Sequence, residues 1–119
     1  FNFDEMLPAA GQGAIAIEAR SNDNLTMQIV KKINCSVTHK CVKVEREILE
    51  KLGLGCNAPI AINVAITDNI VKLKLIIFSI SQMKDINIYL EKNVSEINTL
   101  VDETILKLNE MDFKEFLND

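Results

Sequence analysis

The run APIAINVAITDNIVKLKLIIFSI, Ala58 to Ile80, decides the fold. In its first half Ile60, Ile62, Val64 and Ile66 alternate with smaller or polar residues. Period two in β-branched residues marks a strand with one buried face. Asp68-Asn69 then breaks the pattern with two residues suited to a turn, and Val71 to Ile80 resumes as a second strand. A third, shorter strand is predicted over Ile86 to Glu91, with Ile86, Ile88 and Leu90 on one face. Three strands in hairpin succession form an antiparallel sheet.

Helical patterns flank the three strands. Upstream, Cys41, Val44, Ile48 and Leu52 recur at spacings of three and four, and Val42 and Leu49 widen that stripe. Glu45, Arg46, Glu47, Glu50 and Lys51 are expected mostly on the outside. Ser36 or Thr38 would cap this helix. Gly53 and Gly55 would stop it, because glycine enters the left-handed region without steric cost. Downstream, Ser95 would cap a helix whose buried stripe is Ile97, Val101, Ile105 and Leu108, and Asp112 would cap a short closing turn through Phe113, Phe116 and Leu117. From about His39 onward the fold class is α+β, a three-stranded antiparallel sheet with helices packed on one face.

The N-terminal third reads differently. Phe1 to Gly13 is a loop entry, with Pro8 and two glycines opposing a helix. AIAIEAR, Ala14 to Arg20, alternates as a strand would, and Asp23 or Asn24 would cap a helix with Leu25, Ile29 and Ile33 on one stripe. This strand and helix find no partner of their own in the chain. The expected division is therefore residues 1–35, a strand-helix segment that belongs with another domain, and residues 36–119, the α+β domain.

Composition narrows the function. Hydrophobic residues make up 48% of the 119 positions, enough for a core at this size. A net charge of −4 argues against nucleic acid or an anionic membrane surface as the main partner. No apolar run reaches the length of a membrane span, and Phe1 to Leu7 has neither the basic head nor the apolar stretch of a signal peptide. Phe1 is no start residue, so the chain reads as an excerpt. Three cysteines without a secretion signal favour reduced thiols in the cytoplasm.

Four groups of residues invite a chemical reading. GQGAIA, Gly11 to Ala16, fits the dinucleotide pattern G-x-G-x-x-A, but it precedes a strand-like segment instead of joining a strand to a helix. Cys35, His39, Cys41 and Cys56 lack the close paired spacing of structural zinc, and Cys41 falls on an apolar stripe, where a thiol serves as a small hydrophobe. Glu45-Arg46 reads as a surface ion pair of little energetic weight, and Arg20 could pair with a carboxylate of protein or ligand. Cys56 has two readings of equal standing. Gly55 and Asn57-Ala58-Pro59 leave room for a bulky group at its sulfur, or the thiol is tucked under the sheet as part of the helix end.

Three stretches in register, LPAAGQGAIAIEAR (Leu7 to Arg20), VEREILEKL (Val44 to Leu52) and GCNAPIA (Gly55 to Ala61), resemble the C-terminal portion of the porphobilinogen deaminase family, whose members are also called hydroxymethylbilane synthase. The resemblance implies that Cys56 carries a dipyrromethane cofactor through a thioether bond, with Gly55, Gln12 and Gly13 lining the cofactor cleft. It also implies the reaction: porphobilinogen units lose ammonia, each leaving an azafulvene electrophile that the free α-carbon of the growing pyrrole attacks. A linear tetrapyrrole, hydroxymethylbilane, is then released. The same electrophile would alkylate the Cys56 thiol when the cofactor is first loaded, making that thiol an anchor and not a turnover nucleophile.

Of the three domains of the family enzyme, Phe1 to about Ala10 corresponds to the tail of the middle one, Ala14 to about Asn34 to the first, and about Ser36 to Asp119 to the third. Arg20 and Glu45-Arg46 match positions expected to be structural or interdomain. The catalytic aspartate and most carboxylate-binding arginines fall outside this chain. No catalytic residue and no metal site are therefore expected in it, and the fragment alone is expected to be inactive, with or without cofactor. The full-length enzyme is expected to be a cytoplasmic monomer acting on porphobilinogen. Leu54 departs from the family, which has glycine there, and would narrow the cysteine loop. The competing expectations are a non-enzymatic α+β interaction domain, with the orphan segment as its partner surface, and a small zinc module.

Overall fold

A computed structural model describes residues 2–55, 57–79, 81 and 84–118. Its elements are α1 (Asn24–Ile33), α2 (Ser36–Leu52), β1 (Ile60–Thr67), β2 (Ile70–Ile77), β3 (Ile86–Asn93), a 3-10 turn (Val94–Glu96), α3 (Ile97–Glu110) and α4 (Phe113–Asn118).

The sheet is antiparallel in the order β1-β2-β3. Its register runs from Ile60 opposite Ile77 to Thr67 opposite Ile70, and from Ile70 opposite Asn93 to Ile77 opposite Ile86. Asp68 and Asn69 both take positive φ, 51° and 64°. Two such residues make the hairpin turn whose twist suits the strands it joins, and Asp and Asn are among the few side chains that tolerate it. Ile62, Val64, Val71, Leu73, Leu75, Ile77, Ile88 and Leu90 are buried on one sheet face, against Val44, Ile48 and Leu52 of α2 and Leu100, Val101 and Leu108 of α3. Phe113 of α4 closes the end of this core. Thr104 is fully buried and satisfies its hydroxyl by donating to the Leu100 carbonyl at 2.7 Å. The α+β class expected from the periodicity is the one observed.

Gly53 ends α2 in the left-handed region at φ 67°. The Leu54 N–H bonds the Leu49 carbonyl at 3.1 Å and the Gly53 N–H bonds that of Glu50 at 3.0 Å. This is the Schellman arrangement, and Leu49 and Leu54 both pack against the core, its usual hydrophobic accompaniment. Leu54 therefore serves the helix stop, and it is not among the non-glycine residues with positive φ.

Several expected details change. Ala14–Arg20 forms no strand among the described residues, because alternation without a neighbouring edge leaves the backbone nothing to pair with. Neither Ser36 nor Thr38 caps α2: Cys35 holds the cap position without a side-chain bond, and the Thr38 hydroxyl donates instead to the Cys35 sulfur at 3.2 Å. Ser95 does not cap the long helix. The Asn93 side chain accepts from the Ser95 N–H at 3.0 Å and starts a 3-10 turn, after which α3 begins. β2 ends at Ile77, and the expected strand end at Ile80 lies outside the described residues. Asp23 does cap α1, its carboxylate accepting from the Thr26 N–H at 3.0 Å and from the Thr26 hydroxyl at 2.7 Å.

Candidate functional site

The site is built along the outer edge of β1. In an antiparallel pair alternate N–H groups point away from the neighbouring strand, and on an edge strand they need other partners. Here three of them find partners elsewhere in the chain. Ile60 N–H donates to the Ala58 carbonyl at 2.8 Å, Ile62 N–H to the Pro8 carbonyl at 2.9 Å and Val64 N–H to Glu45 Oε1 at 2.8 Å. The N-terminal arm is thus laid against the strand by a main-chain bond, and α2 reaches the same edge through the Glu45 side chain.

Glu45 is the residue that sequence reasoning misplaced. It was expected on the outer face of α2, paired with Arg46. Instead it is 4% exposed, and its second oxygen, Oε2, accepts from the Gly11 N–H at 2.6 Å. Arg46 is exposed and joins no salt bridge among the described residues. Burial pushes the Glu45 carboxyl above its ordinary value, while the hydrogen bonds from Gly11 and Val64 pull the other way. The signal was present in the sequence: Cys41, Glu45, Ile48 and Leu52 are spaced four, three and four, so Glu45 sits on the apolar stripe itself.

Gly11 and Gly13 hold φ of 69° and 88°, giving the arm a tight turn at Gln12. Gln12 is exposed. Its N–H bonds the Ala9 carbonyl at 3.1 Å, and its side-chain oxygen accepts from the Ala9 N–H at 3.2 Å. A cleft of about 310 Å³ opens between this turn, the start of α2 and β1, with Gln12, Gly13, Thr38, Cys41, Glu45 and Asn63 among its walls. Gly55 is not among them. The expected cleft residues Gln12 and Gly13 thus stand together with Glu45, and Gly55 stands apart at the α2–β1 connection.

Cys56 lies outside the described residues. On either side of it Gly55 and Asn57 are exposed, and a Cβ built on Gly55 would meet nothing within 4 Å. The Gly55 carbonyl accepts from the Ala58 N–H at 3.1 Å.

The other two thiols differ. Cys41 is buried, and burial, with the Glu45 charge next, raises its pKa. Cys35 is exposed, and the Thr38 hydroxyl, then the Thr38 backbone, lowers its pKa. Among the described residues no group of three or more His, Cys, Asp or Glu is placed to hold a metal ion, and no helix is long and apolar enough to cross a membrane.

The architecture is that of a small α+β domain: helices cover one face of a three-stranded antiparallel sheet, and an N-terminal arm seals one sheet edge. The profile of the family described as "Porphobilinogen deaminase, C-terminal domain" matches residues 39–110, and the chain belongs to that family. Among similar proteins, a porphobilinogen deaminase of Orientia tsutsugamushi (strain Boryong) is 55% identical over 56 residues, 47% of this chain and 19% of the relative. One of Bacillus cereus (strain AH820) is 49% identical over 70 residues, 57% and 23% respectively. One of Chlorobium chlorochromatii (strain CaD3) is 40% identical over 77 residues, 65% and 25%. The matched region spans about a fifth to a quarter of these relatives.

Proposed function

We propose that this chain is the cofactor-bearing portion of a hydroxymethylbilane synthase, a transferase of porphyrin and heme biosynthesis. The full-length enzyme joins porphobilinogen units into a linear tetrapyrrole with release of ammonia. The observation that carries this reading is the family match over residues 39–110, which takes in the GCNAPIA stretch around Cys56. The open surroundings of Gly55 and the exposure of Asn57 suit a thiol that must accept a bulky pyrrole group.

In this reading the Cys56 sulfur holds a dipyrromethane as a thioether. When bound, that group supplies the primer whose free α-carbon receives the incoming units. Gly55 carries no side chain to crowd the attachment. Gln12 and Gly13 form a wall of the cleft at the arm's turn, where exposed backbone and a side-chain amide offer hydrogen bonds to polar edges of a pyrrole chain. Residues 1–35 belong with the enzyme's other domains, and residues 36–119 form the domain that carries Cys56. The catalytic acid and the basic groups that hold acetate and propionate lie outside the chain, so the 119-residue chain alone does not consume porphobilinogen. The working enzyme is a cytoplasmic monomer.

The full-length gene tests this. Its product should consume porphobilinogen, and Cys56→Ser should abolish that consumption while leaving the protein folded. A full-length protein that is inert towards porphobilinogen, or a Cys56→Ser variant that keeps its activity, contradicts the proposal.

A further inference from the structure

We propose that Glu45 is a positioning residue: its carboxylate sets where the Gly11–Gly13 turn lies along the edge of β1, and so fixes the cleft wall formed by Gln12 and Gly13. The two N–H groups it binds belong to separate parts of the chain. Gly11 is 34 residues from Glu45 in sequence and Val64 is 19, and each takes one carboxylate oxygen, at 2.6 and 2.8 Å. A carboxylate is the one small side chain that offers acceptors at both ends of its fork. It therefore couples the arm's turn to the strand edge through one rigid group, and the hydrogen bonds are of the stronger, charge-assisted kind.

Besides these bonds, the half-buried Ala10 packs against the core next to the turn. Upstream, the Pro8 carbonyl takes the Ile62 N–H, and Asp4 reaches Lys74 at the surface. At the turn itself, Gly11 lies over α2 closely enough that a Cβ there would touch Val42 Cγ1 at 3.6 Å. Among the described residues Gly11 is the last point at which the arm hydrogen-bonds the α+β body, because the bonds of residues 12–34 are all local to the arm. Where the chain leaves the body is thus decided at Glu45. This deepens the reading above, since Gln12 and Gly13 are the cleft residues assigned there, but it stands on hydrogen-bond geometry alone.

Amide hydrogen exchange on the 119-residue chain tests it without any activity measurement. In the wild type the Gly11 amide should exchange at least about tenfold more slowly than that of Gly13, which bonds nothing on the body. In Glu45→Gln one end of the fork becomes a donor facing an N–H, and in Glu45→Asp the fork is one methylene too short to span both. In each variant the Gly11 amide should speed up by about tenfold while the amides of Leu73 and Leu75 in β2 keep their rates. Thr104→Val serves as the comparison: it disturbs another buried polar group and should leave Gly11 no faster than the rest of the body. Equal wild-type rates at Gly11 and Gly13, or Glu45 variants in which Gly11 and β2 accelerate together or not at all, overturn the proposal. Loss of activity in Cys56→Ser has no bearing on this outcome, so the two readings fail separately.

Discussion

The body of the domain, from α2 onward, and the arm that precedes it are written in much the same residues and behave differently. Both contain helices with a clear apolar stripe. In α2 that stripe buries Cys41, Val44, Ile48 and Leu52. In α1 the corresponding residues, Leu25, Ile29 and Ile33, remain 70%, 55% and 63% exposed, and no residue of the helix is buried. Both contain period-two segments, but Ile60–Thr67 pairs with a neighbouring strand while Ile15 and Ile17 stand in unpaired chain. A pattern thus specifies which face an element would bury. Whether it is buried depends on a partner, and among the described residues α1 and Ala14–Arg20 find none. The arm follows the body only as far as hydrogen bonds carry it, to Pro8 and Gly11.

The comparison is most sharply tested in the core. Ile48→Ala removes a fully buried side chain between α2 and the sheet and should cost about 2–5 kcal/mol in urea denaturation. Ile29→Ala, a change of the same chemistry on α1, should stay within about 0.5 kcal/mol. Comparable losses at both positions would mean that the arm packs on the body after all.

Thiol chemistry gives the next contrast. In a Cys56→Ser background under native conditions, Cys35 should be alkylated by iodoacetamide at least about ten times faster than Cys41, since the thiolate is the reactive form and Cys41 is buried. The two rates should converge in urea.

At the arm's own helix, Asp23→Ala removes the cap of α1 and should weaken that helix by about 1 kcal/mol, read as lost helical circular dichroism. The urea midpoint of the body should not move, because α1 contributes nothing to the core.

The smallest effect is with pH. The folded-state pKa of Glu45 is raised by burial above its ordinary value near 4.5. The native state therefore holds this proton more tightly than the unfolded chain. Its contribution to stability is complete below pH 4.5 and is lost as pH rises through the raised value. The downward slope above pH 4.5 should be present in the wild type and absent in Glu45→Gln. Asp23 has the opposite sign: Thr26 lowers its pKa, so its contribution to α1 is present above the ordinary value of 3.8 and fades as pH falls through the lowered one.

Much of this was legible in the residues. The β1–β2 hairpin followed from alternation and from Asp68-Asn69, a pair suited to positive φ. The stop of α2 followed from Gly53. The family resemblance rested on three motifs in register, and the profile match confirms it over residues 39–110. What remained hidden was long-range. Helical spacing put Glu45 on the buried stripe, yet a lone carboxylate is read as solvated unless its partners are known, and these are backbone N–H groups of a glycine turn and a strand edge. No local pattern announces them. Ser95 failed as a cap for a different reason: Asn93 accepts from the Ser95 N–H and opens a 3-10 turn that takes Ser95 inside it, not ahead of the helix. Of the candidate site, Gln12 and Gly13 stand on one cleft wall without Gly55, and the buried acid beside them was not foreseen.

The central claim is that Cys56 is the attachment point of a pyrrole primer, and peptide mass mapping of the full-length protein tests it most directly. The account predicts that the peptide containing Cys56 carries the added mass of a dipyrromethane, lost in Cys56→Ser. An active full-length enzyme whose Cys56 peptide has its unmodified mass would contradict it.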